Sequence, residues 1–103
     1  MAGVKHDNGK PRLGLLDRVA LEAIARVLAH GAEKYRDAPG GAHNWRHGLA
    51  LSRELDAALR HIHAFNDGDP ESGLSHIAHA ACCLMFVLRL HAERPDCDDR
   101  FRP

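Results

Sequence analysis

This chain of 103 residues lacks an excess of either charge: 14 Lys and Arg balance 14 Asp and Glu, for a formal net charge of zero. A domain that grips duplex nucleic acid carries a basic excess, so that class of partner is disfavoured. Long apolar runs are also missing. The longest, Ile77 to Leu90, is interrupted by His79 and Arg89 and is too short to span a bilayer, which argues against a membrane partner. No basic-then-apolar leader opens the chain, so secretion is not expected. Cysteine is sparse: Cys82, Cys83 and Cys97 form no CxxC pair. Adjacent cysteines on a helix diverge, so reduced thiols and a cytoplasmic setting are expected. Aromatics make up 5%. Strand-period alternation is absent, which leaves an all-α fold.

Histidine is the residue in surplus, with nine copies. Two of them, His76 and His79, lie three apart on the greasiest predicted helix, so they share a face, and Cys83 falls on the same stripe. Imidazoles on a helix that is apolar almost all round cost free energy unless something pairs with them. A metal, an acid or a substrate phosphate would do so; hydrogen bonds to neighbouring helices would do so equally well.

The length fits a single domain over residues 1–103. Asn8-Gly9, Lys10-Pro11 and Gly14 predict an extended or turning arm over 1–14. Asp17 is a plausible N-cap for a first helix reaching Lys34–Arg36. The breaker cluster 37–44 is a loop. Ser52, or a residue a turn earlier, caps a second helix whose buried stripe reads Leu51, Leu55, Ala58, Leu59, Ile62 and Phe65. Asp69 and Pro70 begin a third, unless Gly73 delays it to Leu74 or Ser75; it runs to about Glu93. Residues 96–103 read as a loose tail. The expectation is a small bundle of three principal helices, completed by homo-oligomerisation because the third helix is apolar on more faces than two partners can cover.

Candidate chemistry follows from spacing. His30 and Glu33 share a face of the first helix, and Asp56, Arg60 and His63 share one on the second, with His61 pointing elsewhere. Asp56 with Arg60 is otherwise an ordinary surface ion pair. With antiparallel packing, Glu33, Asp56, His76 and His79 could converge as metal ligands, with Glu71 arriving from the loop. Such mixed donors suit Mn²⁺, Co²⁺, Fe²⁺ or Zn²⁺ better than Mg²⁺. Lys5, Lys10 and Arg12 on the arm could grip polyphosphate, or be solvated charges. Gly3 to Lys10 fails the spacing of a phosphate-binding P-loop. Trp45, flanked by Asn44 and Arg46, could stack on a base or plug the top of the core.

Five segments in order carry a resemblance: Lys5-His-Asp-Asn-Gly-Lys-Pro-Arg-Leu13, Gly31-Ala-Glu-Lys-Tyr35, Asn44-Trp-Arg-His-Gly48, Leu55-Asp-Ala-Ala-Leu-Arg-His61, and Asp69-Pro-Glu-Ser-Gly-Leu-Ser-His-Ile-Ala-His-Ala-Ala81. Together they resemble the phage dATP/dGTP diphosphohydrolase N-terminal-domain family, itself distantly similar to the MazG-type all-α nucleoside triphosphate pyrophosphohydrolases. The resemblance implies metal-dependent hydrolysis of a purine deoxynucleoside triphosphate to monophosphate and pyrophosphate. It implies a divalent cofactor (Mn²⁺, Co²⁺ or Mg²⁺), with Glu33, Asp56 and Glu71 as catalytic acids. Glu33, Asp56, His76 and His79 would hold metal. Lys5, Lys10, Arg12, Lys34, Tyr35, Asn44, Trp45 and Arg60 would meet substrate. The sequence departs from the MazG pattern where His76-Ile-Ala-His79 replaces an ExxD. Two rivals remain: a non-catalytic helical module that binds a nucleotide or a partner, with structural histidines, and a first domain detached from a larger enzyme.

Overall fold

A computed structural model describes residues 2–71 and 73–103. The fold is all-α, with α1 (Arg18–Lys34), α2 (Leu51–Asn66) and α3 (His76–Glu93), plus 3-10 turns at Leu13–Leu15, Gly41–His47 and Pro95–Cys97. No described helix is long and apolar enough to cross a membrane.

Each start has a local cause. Asp17 caps α1, its carboxylate accepting from the Ala20 amide at 2.8 Å. For α3 the delay wins over Asp69 and Pro70. Gly73 takes φ +88°, and Ser75 becomes the N-cap, its hydroxyl accepting from the amides of Ile77 and Ala78. Ser52 does not cap α2. The cap position is Ala50, which offers no side-chain acceptor, and the orphaned Ser52 amide is satisfied by the Asp99 carboxylate at 2.9 Å.

α2 and α3 form an antiparallel pair. Leu51, at the start of α2, shares a core cluster with Leu90 near the end of α3, whereas His61 meets His76 at the other end. α1 lies against α3 through Val27, Ala78 and Cys82. The core is small and its largest fully buried side chains are Leu51 and Leu90. A radius of gyration of 16.7 Å exceeds the roughly 13 Å typical of a compact domain this long. The exposed arm, including Val4, Leu13, Leu15 and Leu16, contributes to that spread.

Two expectations fail here. Within the predicted α2 stripe, Leu51 and Ala58 are buried but Leu59, Ile62 and Phe65 are exposed. The inward face instead runs Leu51, Glu54, Ala58, His61, so polar side chains occupy positions that periodicity assigns to apolar ones. The tail is not loose through its length. Cys97 is buried in the Leu51–Leu90 cluster, Asp98 binds Arg100, and Asp99 holds Ser52. Arg94 donates to the His47 carbonyl across a close approach at Gly48. That glycine has φ +113°, and a Cβ there would sit 3.1 Å from both the Arg94 guanidinium and the Cys97 sulfur.

Candidate functional site

The chemistry-bearing side chains gather where the end of α2 meets the start of α3. His61 points away from the exposed face of Asp56, Arg60 and His63, as expected, and that direction is inward against α3. Its Nδ1 lies 3.2 Å from His76 Nδ1, and its ring stacks on His79 with centroids 4.5 Å apart and planes 9° from parallel. The other His76 nitrogen, Nε2, is 3.2 Å from the Pro70 carbonyl. A carbonyl only accepts, so His76 Nε2–H is the donor and Nδ1 keeps its lone pair towards His61. Glu71 Oε1 accepts from the His76 backbone amide at 3.2 Å, which brings a carboxylate to the same helix terminus.

The cluster is half-buried and short of negative charge. Desolvation, then the nearby His79 and His76, then Arg60, hold the His61 pKa below its ordinary 6.5. Desolvation, then His30 from α1, then His76, lower that of His79. Both shifts favour neutral rings at His61 and His79. One helical turn away, burial and then Glu54 push the Cys83 thiol up to about 12, and the same two causes push Cys82 to about 11. Both shifts disfavour the thiolate, and all three cysteines are free.

The other predicted residues lie apart from this junction or hold other partners. Glu33 pairs with Arg36 at 2.9 Å, with its side chain 74% exposed. Asp56 and Arg60 are exposed. Lys34 lies over the Tyr35 ring at 5.3 Å. Lys5, Lys10 and Arg12 are exposed on the arm. Asn44 Nδ2 donates to the Pro39 carbonyl at 2.7 Å, closing its own loop. Trp45 is buried against Phe86, ring centroids 4.4 Å apart, with the Arg46 guanidinium over it. A ring held in this way plugs the core and has no free face for a base. Among the described residues no three His, Cys, Asp or Glu side chains surround a point that could hold a metal. The four-ligand convergence of Glu33, Asp56, His76 and His79 is therefore not formed.

His61 and Glu54 are the residues that sequence reasoning missed. A signal existed: Glu54, Ala58 and His61 lie at i, i+4 and i+7, a helical stripe as regular as the leucine one beside it.

The model of the dATP/dGTP diphosphohydrolase N-terminal family matches residues 1–100. The chain belongs to that family. It is also 48% identical over 103 residues to the dATP/dGTP diphosphohydrolase of Salmonella phage PMBT28, covering 97% of this chain and 33% of that protein. The chain thus spans about a third of that relative's length. No solved structure matches it.

Proposed function

We propose that this family member acts in the metal-dependent hydrolysis of dGTP or dATP, with water, to the monophosphate and pyrophosphate. The observation that carries this reading is the junction of three imidazoles with Glu71 at the mouth of the α2–α3 pair, in a chain of this family. A divalent cation bound there would offset triphosphate charge and acidify an attacking water. The donor set is rich in nitrogen, which suits Mn²⁺ or Co²⁺ better than Mg²⁺. Arg60, close enough for its charge to act on His61, is the cation to hold phosphate oxygens. Glu71 is the carboxylate to accept a proton from water. Lys5, Lys10 and Arg12, on the exposed arm, would add charge at the outer phosphates. In an infected cell this activity would control the purine deoxynucleotide pool.

The reading extends to a homo-oligomer. Leu59 and Phe65 on α2, and Ile77, Leu84 and Leu88 on one stripe of α3, are exposed apolar side chains that self-association would cover.

A second reading, a nucleotide-binding module without catalysis, draws on the pairing of Glu33 with Arg36. Incubation with dGTP or dATP and Mn²⁺, Co²⁺ or Mg²⁺, followed by a pyrophosphate assay, separates the two. Turnover that falls at least tenfold in Glu71→Gln and Arg60→Ala supports hydrolysis. Nucleotide binding without pyrophosphate under every metal overturns it.

A further inference from the structure

Every residue of the arm, 2–16, is exposed in its own chain. Three of its side chains are apolar neighbours: Leu13, Leu15 and Leu16 stand 73%, 72% and 57% exposed. A Cβ added at Gly3, Gly9 or Gly14 would meet no neighbouring atom within 4 Å. Yet the arm has a shape, because the amides of Lys10, Leu15 and Leu16 donate to the carbonyls of Asp7, Arg12 and Leu13. A row of leucines in water is unfavourable until another surface covers it.

The matching surface is the mouth of the α2–α3 pair. His61 meets His76 there, so Ile62, Phe65 and Ile77, which are 40%, 54% and 41% exposed, belong to the same end. The loop over 66–71 adds Asp67, Asp69 and Glu71, all exposed, and contains no Lys or Arg. The arm has the opposite balance, Lys5, Lys10 and Arg12 against Asp7. Among the described residues no ion pair engages Lys5, Lys10, Arg12, Asp67 or Asp69. Each surface is apolar with a charged border, and the two borders have opposite sign. A chain of zero net charge divided in this way is complementary to itself.

We propose that the arm docks on a second copy of this chain, its leucines covering Ile62, Phe65 and Ile77 and its basic side chains facing the acidic loop. A two-fold axis makes the exchange reciprocal and closes it at a dimer. From Lys5 to Leu16 the chain reaches at most about 40 Å, beyond the 35 Å of the molecule's shorter axes. The proposal rests on the self-association read above and names what the second copy contributes. Lys5, Lys10 and Arg12 of one copy arrive beside Glu71 and the imidazoles of the other. Each mouth is then assembled from two chains.

Sedimentation velocity should show a dimer that weakens as salt rises, since its charged border is exposed. Leu13→Asp combined with Leu16→Asp should weaken it about a hundredfold. Circular dichroism should stay unchanged in that variant, because both side chains are exposed in their own chain. Lys10→Glu with Arg12→Glu, and separately Asp67→Lys with Asp69→Lys, should each weaken the dimer about tenfold. Mixing those two charge-reversed proteins should restore it, since both docked arms then face opposite charge. A photo-crosslinker placed at position 15, in an equal mixture of ¹⁴N and ¹⁵N chains, should join α2 or the start of α3 across unlike labels. A monomer at every concentration, or links confined to like labels, overturns the exchange. A dimer of full affinity in the Leu13→Asp, Leu16→Asp protein keeps the self-association and overturns the arm's part in it. Pyrophosphate release enters none of these measurements, so the hydrolytic reading can fail while the exchange stands.

Discussion

The two ends of the α2–α3 pair use the same helices for opposite purposes. At one end Leu51, Leu90, Trp45 and Cys97 make a dry cluster, closed by Phe86 and locked by Asp99 and Arg94 from the tail. At the other, about 15 Å along α2 by helical rise, His61, His76 and His79 stand in contact where a bundle of this size could have used leucine. Apolar side chains that would have filled that end, such as Ile62 and Phe65, are exposed instead. Stability is concentrated where the tail folds back, and chemistry where it is absent. A small domain with few buried residues tolerates a polar end only if the other end is well made.

The comparison is most easily broken at the dry end. Leu90→Ala removes one of the two largest fully buried side chains and should cost about 2–5 kcal/mol in urea unfolding. A cost under about 1 kcal/mol would mean that the cluster can collapse around the gap and is not the anchor described. His79→Leu tests the polar end in the other direction. It should raise stability by about 1 kcal/mol while lowering pyrophosphate release from dGTP, since sites kept for chemistry are rarely optimal for folding. Loss of stability on that change would make the imidazole structural.

A smaller effect lies in pH. His61 and His79 have folded-state pKa values below the 6.5 of the unfolded chain, so between those values the unfolded state binds more protons. Their contribution is therefore complete above pH 6.5 and declines as pH falls through the folded values. In chelator-treated protein, melting temperature should drop from pH 7 to pH 5 more steeply than in His61→Gln. Equal slopes would remove these groups from the account. Least in size is Asp99→Ala, expected to lower the melting temperature less than Leu90→Ala and to speed amide exchange at Ser52. Unchanged exchange there would dissolve the distant cap.

What could be read in the sequence was what local rules govern. The cap at Asp17, the greasy α3 and the all-α class follow from neighbours in the chain. The inner face of α2 did not follow, because periodicity ranks apolar stripes. Leu55, Leu59 and Ile62 outrank Glu54, Ala58 and His61 until a partner helix says which face is inward. The tail was illegible for a related reason. Asp99 and Ser52 are 47 residues apart, and no spacing rule links a carboxylate to an orphaned amide over that distance. At the site, the His76–His79 pair was visible as a spacing, whereas its meeting with His61 depended on how two helices cross.

The Asp99 clasp also sets a direction of travel for anything attached downstream. Residues 100–103 lead away from the carboxylate that grips the first turn of α2. A reporter, tag or further module joined after Pro103 would set out from beside Ser52, with α2 between it and the imidazoles. Cargo joined there is kept at arm's length from His61, His76 and His79.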